Sequence, residues 1–142
     1  MAESGPERAV LVSVVTPFRD DERIDFTAWQ RNLEMLAANG IAGFVALGEE
    51  GEFRTLSEEE RMVALRFCRQ TLGRGARLYG NVGSDSTSES IRLAQTAEAD
   101  GVDWIVVLPP RQDLSPEELA EHLAEIRAAV RTPVASLAEL TV

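Results

Sequence analysis

A parallel α/β sheet is the fold class that this sequence predicts, and three observations predict it. Short, uniformly apolar or β-branched runs alternate with amphipathic segments at helical spacing. Each β-α-β unit takes about 30 residues, the length of a right-handed crossover that returns a strand parallel to its predecessor. Three of the amphipathic segments open on a serine with a glutamate three places on, at Ser57/Glu60, Ser86/Glu89 and Ser115/Glu118. Such capping boxes start a helix just after a loop, so the repeated order strand, loop, serine, helix places all these loops on one rim. No linker or low-complexity tract divides the pattern, and one domain over residues 1–142 is expected, with a polar tail at 1–8.

The elements follow in order. Ala9-Val-Leu-Val-Ser-Val-Val15 is a β-branched run closed by Thr16-Pro17, where proline can donate no ladder bond. A charged loop, Arg19 to Arg23, leads to Asp25 or Thr27 as the cap of a helix carrying Trp29, Leu33, Leu36 and Ala37, stopped by Asn39-Gly40. Phe44 to Leu47 is a second strand, too short and too apolar to lie at a surface. The helix capped by Ser57 points Met62, Val63, Leu65, Cys68 and Leu72 at the core and ends at Gly73 and Gly75. Leu78 to Val82 is strand three, and after Ser86 the next helix carries Ile91, Leu93, Ala94 and Ala97 to Asp100-Gly101. Trp104-Ile-Val-Val-Leu108 is strand four, closed by Pro109-Pro110. Ser115-Pro116 opens a helix with Leu119, Leu123, Ile126 and Val130 on one face, and residues 132–137 read as strand five.

Composition narrows the function classes. The formal net charge is -10, which argues against nucleic-acid or anionic-membrane partners, because phosphate neutralisation needs clustered cations. No run reaches the roughly 20 apolar residues of a membrane span, and the first residues lack a secretory apolar core, so a soluble, cytoplasmic protein is expected. One cysteine and one histidine cannot assemble a metal site, and no cofactor is called for. Cys68, Trp29, Tyr79 and Trp104 fit core positions, and His122 fits a surface or half-buried one. All 14 basic residues are arginines; there is no lysine.

The chemistry concentrates between strand two and its helix. Gly48 and Gly51 bound a turn in which conformations closed to other residues become available, and Glu49, Glu50 and Glu52 stand there at the C-terminal end of a strand, where α/β proteins place ligands. Asn81, Asp85 and Arg111 come from the neighbouring loops of the same rim. Three readings are open for the carboxylates, in this order: charge that favours a helix N-terminus, an acid–base pair with one carboxyl raised and one ionised, and a cation site. Arg111 is the cation placed to pair with Glu49 or Glu50, or to meet an anionic ligand.

Several of these motifs, in order, resemble the dihydrodipicolinate synthase / N-acetylneuraminate lyase family of class I aldolases. They are Val15-Thr16-Pro17-Phe18, Gly48-x-x-Gly51-Glu52 with Thr55-Leu56 and Ser57 to Arg61, Gly80-Asn-Val-Gly83, Ala99-Asp-Gly101-Val-Asp, and Leu108-Pro109-Pro110. Gly51-Glu52-Phe53 with Leu108-Pro109-Pro110 is similar to the sugar-acid dehydratase branch. The resemblance implies a (β/α)₈ barrel, of which these residues would form the first half: about five strands and four helices. It also implies a 2-keto acid held as a Schiff base on a strand-six lysine, with a strand-five tyrosine as proton relay. The 142 residues stop short of strand six, and without any lysine they cannot form that imine in cis. The tyrosine positions fall near Leu137 and near Pro110 or Arg111. The two hydroxyl residues that hold the keto-acid carboxylate are Glu49 and Glu50 here, and they would repel it.

Two functional expectations follow. In the first, Glu49 and Glu50 carry a non-imine acid–base reaction on a small molecule, with Gly48, Gly51, Glu52, Asn81 and Arg111 around it, in an oligomeric pocket. In the second, the chain is a non-catalytic scaffold completing a barrel with itself or with a longer homologue. An arc of five strands leaves an apolar inner face and two sheet edges in water, which an assembly would cover.

Overall fold

Five parallel strands lie side by side in chain order, as single-wound right-handed crossovers require. The computed structural model describes residues 10–140; the polar tail and Ala9 lie outside them. The elements are β1 (Leu11–Ser13), α1 (Phe26–Ala38), β2 (Gly43–Ala46), α2 (Glu58–Leu72), β3 (Arg77–Asn81), α3 (Thr87–Asp100), β4 (Trp104–Val107), α4 (Pro116–Ala129), β5 (Val134–Ser136) and α5 (Leu137–Leu140). The half-barrel arc is therefore present. β1 is shorter than its apolar run because it pairs only with Gly43 to Val45, and Val15 emerges exposed beyond the last pair. Strand five is also cut short: Leu137, read as its last residue, begins a helical turn instead.

The caps behave as local chemistry dictates. Asp25, not Thr27, caps α1 by accepting from the Ala28 amide at 2.9 Å. Ser57 and Ser115 form complete capping boxes with Glu60 and Glu118. Ser86 caps α3, but the box is incomplete, because the Glu89 carboxylate accepts from the Ser84 hydroxyl rather than from the cap amide. A closer acceptor need won.

Alternation along each strand sends Phe44, Ala46, Leu78, Ile105 and Val107 toward the helices, all nearly fully buried. Against them pack Trp29 and Leu33 of α1, Leu65 and Cys68 of α2, Leu93 and Ala97 of α3, and Ile126 of α4. Each fully buried side chain of this size contributes about 1.5–3 kcal/mol. Phe26, Trp29 and Phe67 form an aromatic cluster between α1 and α2, with centroids 4.8–6.4 Å apart. Gly80 lets α2 approach β3, since a Cβ there would stand 3.0 Å from a Leu65 methyl. Val63, expected on the core side of α2, is 51% exposed; it sits one position off the stripe Arg61, Ala64, Leu65, Cys68 that α2 buries.

The other face of the sheet carries Ser13, Val45, Tyr79, Asn81 and Val106. The register partners Tyr79 and Trp104 stack there at 6.0 Å. Val106 and Leu108 are buried, and Leu137 and Leu140 of α5 stand on the same side of the sheet. Among the described residues no helix is long and apolar enough to cross a membrane.

Candidate functional site

The C-terminal ends of the strands surround a cavity of about 310 Å³. Leu11, Val45, Val106, Leu108, Leu137 and Leu140 give it apolar walls, and Ser13, Asn81, Glu49 and Glu50 are its polar members, with Gly48 at the turn.

The turn itself is built differently from expectation. Neither Gly48 nor Gly51 has a positive φ; Leu47 (62°) and Glu52 (55°) do. Each such non-glycine residue costs about 1–2 kcal/mol, and the surrounding bonds offset it: Gly51 and Glu52 amides donate to the Gly48 and Glu49 carbonyls, and the Leu47 carbonyl accepts from Asn81 Nδ2 at 2.8 Å. The glycines are required for space. A Cβ at Gly51 would meet Leu47 Cα at 3.1 Å and Thr16 Oγ1 at 3.2 Å, and one at Gly48 would meet Ser13 Oγ at 3.0 Å.

The two adjacent carboxylates take separate partners. Glu50 Oε2 accepts from Ser13 Oγ at 2.7 Å; that hydroxyl, and then the residue's own amide, hold the Glu50 carboxyl below its ordinary range. Glu49 pairs with Arg54 Nη2 at 3.2 Å. Arg54 also donates to the Pro109 carbonyl and lies over the Phe53 ring at 4.5 Å, tying the acidic turn to the loop after β4. In an acid–base pair with one carboxyl raised and one ionised, the lowered Glu50 fits the ionised member.

Arg111 does not reach Glu49 or Glu50. Its Nε and Nη2 donate to Asp85 Oδ2 at 3.1 and 2.9 Å and its amide to Oδ1 at 2.8 Å, and these contacts lower the Asp85 pKa. Within the loop after β4, Arg111 meets Asp85 of the loop after β3, while Pro109 meets Arg54 of the loop after β2. Arg111 lines a second rim cavity of about 350 Å³, with Arg54, Arg61, Asp85 and Glu89. Glu52 is exposed and lines neither cavity. Asn81, fully buried, has its amide engaged by backbone: besides Leu47, Oδ1 accepts from the Gly83 and Leu108 amides at 2.8 and 3.1 Å. It closes the ends of three strands onto one another. The structure thus brings Gly48, Glu49, Glu50 and Asn81 together, with Gly51 completing the turn, and leaves Glu52 and Arg111 outside.

Sequence reasoning missed two arginines. Arg61 is 3% exposed and donates to the carbonyls of Gly83 and Asn81 at 2.8 and 2.9 Å, with the Phe53 ring 5.0 Å beneath it; burial pushes its pKa down to about 10. Its spacing from Leu65 and Cys68 on the buried stripe was the available signal. Arg54 had none, since only the folded loop places it beside Pro109. His122, read as a surface or half-buried residue, is buried, with Nδ1 2.7 Å from Thr87 Oγ1; burial lowers its pKa. Cys68 is fully buried and free, and burial drives its thiol pKa far up. Among the described residues no group of three or more His, Cys, Asp or Glu side chains is arranged to hold a metal.

Residues 6–135 match the model of the dihydrodipicolinate synthetase family. A 4-hydroxy-tetrahydrodipicolinate synthase of Moorella thermoacetica is 34% identical over 126 residues, 88% of this chain and 43% of that protein. One of Bartonella quintana is 34% identical over 128 residues, covering 89% and 44%. Among solved structures, YagE, a prophage protein of the dihydrodipicolinic acid synthase family from E. coli K12 in complex with pyruvate, superposes with a TM-score of 0.85 at 29% identity, over 89% of this chain and 43% of that one. The 4-hydroxy-tetrahydrodipicolinate synthase of Methylacidiphilum fumariolicum gives 0.84 at 32% identity, over 89% and 42%. The chain spans less than half the length of these relatives.

Proposed function

Because the chain belongs to the dihydrodipicolinate synthetase family, we propose that it forms one wall of a lyase-type pocket in a cytoplasmic, assembled barrel, with a turn that takes a small cationic or hydroxyl-bearing molecule instead of a keto-acid carboxylate. The observation that carries this reading is the Glu50 carboxylate, exposed at the edge of an apolar-walled cavity and held below its ordinary range by Ser13. An anion entering there meets like charge at short range. These residues supply no imine-forming lysine, so any reaction at this wall runs without a Schiff base on it. Glu50, its pKa lowered by Ser13, serves charge recognition; Glu49, tied to Arg54, is oriented beside it.

Calorimetry with pyruvate and with isobutylammonium tests the reading. Saturable heat is expected for the amine alone, and Glu50→Gln is expected to abolish it. Saturable pyruvate binding to the unaltered chain, or a borohydride-trapped pyruvate adduct on it, would sink the proposal.

A second reading, the scaffold that completes a barrel with another copy or a longer homologue, is favoured by the two open sheet edges, β1 and β5, and by the coverage of less than half of each relative. Light scattering across micromolar concentrations decides it: a monodisperse monomer at all of them removes this reading.

A further inference from the structure

Arg54 stands between the two rim cavities. It lines the larger one, of about 350 Å³, yet its Nη2 reaches Glu49 Oε1 at 3.2 Å, on the wall of the cavity that also holds Glu50. Glu49 is thus met by its cation from outside its own cavity. The two side chains are 27% and 59% exposed, and a surface pair of this kind is worth little when both partners must first be immobilised. Here the guanidinium is already held: the same Nη2 donates to the Pro109 carbonyl at 3.2 Å, and the group lies 4.5 Å from the Phe53 ring centroid. Arg61 and Arg111, which share the larger cavity, are engaged elsewhere, by the Gly83 and Asn81 carbonyls and by Asp85. Among the described residues no arginine pairs with Glu50, whose side-chain partner is the neutral Ser13 hydroxyl.

We propose that Arg54 sets the charge that the smaller cavity presents. By compensating Glu49 from the far side, it leaves Glu50 as the uncompensated carboxylate of the wall, and the cavity thereby selects a singly charged amine over a doubly charged one. Two uncompensated carboxylates would favour a dication. With one, the second ammonium of a dication loses water against apolar walls and meets no counter-charge. This assignment rests on the cation-recognition reading above and names its specificity-determining residue.

Calorimetry with isobutylammonium and tetramethylenediammonium at neutral pH tests it. Arg54→Gln keeps a donor for the Pro109 carbonyl while removing the charge, and is expected to raise the diammonium-to-monoammonium affinity ratio about two- to fivefold. Arg54→Met, which keeps an apolar stem over Phe53, is expected to do the same. In the Glu50→Gln chain, silent toward isobutylammonium, adding Arg54→Gln is expected to restore saturable heat, because Glu49 is then the uncompensated carboxylate. An unchanged ratio in both Arg54 variants, each with the circular dichroism of the parent, or a double variant as silent as Glu50→Gln, would overturn the role of Arg54 while leaving amine binding by the native chain in place. Absence of amine binding by the native chain is a different failure: it removes the cation-recognition reading, and this assignment with it.

Discussion

Two stretches of one rim differ in how they spend their polar groups. Around Asn81 and Arg61, buried side chains donate and accept almost wholly to main chain, joining Leu47, Gly83 and Leu108 at the ends of β2, β3 and β4. Around Glu49 and Glu50, exposed carboxylates are met by single side chains, Arg54 and Ser13. Buried groups left unpaired are costly, whereas an exposed charge is stabilised by water in any case. The first stretch is therefore architecture and resists change; in the second, the side chains of Glu49 and Glu50 can be exchanged at little cost to the fold.

The comparison breaks if the two stretches respond alike to mutation. Asn81→Ala strands the Leu47 carbonyl and the Gly83 and Leu108 amides, and is expected to cost about 3 kcal/mol in urea unfolding. Arg61→Met keeps the apolar stem over Phe53 but leaves the Gly83 and Asn81 carbonyls without their donor, for about 2 kcal/mol by the same measurement. By contrast, Ser13→Ala at the acidic turn is expected to stay within about 0.5 kcal/mol while the Glu50 carboxyl, followed by NMR titration, moves upward toward its ordinary range. A Glu50 midpoint unmoved in that variant would show that Ser13 does not hold it.

A third region sharpens the contrast through pH. His122 is buried between α3 and α4 with its folded-state pKa below the ordinary 6.5, so the unfolded chain binds the proton more tightly. Its contribution is fully present above pH 6.5 and is lost as pH falls below that value. The urea midpoint of the native chain is expected to drop between pH 7.5 and 5.5, and His122→Gln to flatten that slope. A lowered carboxyl such as Glu50 carries its own loss to a more acidic window, below its ordinary 4.5, which keeps the two effects apart.

The alternation of strands and helices and two complete capping boxes were legible in residue pattern, because burial periodicity and cap chemistry act over a few residues; the order of the sheet was not. The Gly48–Gly51 turn was legible in place but not in cause: the glycines make room for Leu47, Thr16 and Ser13, which arrive from other parts of the chain. Arg61 was half visible, in phase with the buried stripe of α2. Arg54, the Asp85 partner of Arg111, the burial of His122 and the seat of α5 were not visible at all.

That division has one physical reason. The sequence by itself determined what depends on neighbours along the chain: parallel strands alternating with helices, and a glycine-bounded acidic turn at the end of β2. Which charge meets which, and which carboxylate is held ionised, was decided only when strand ends far apart in sequence came within hydrogen-bond distance. Ser13 and Glu50 are 37 residues apart and 2.7 Å from contact atom to contact atom; no local rule relates them.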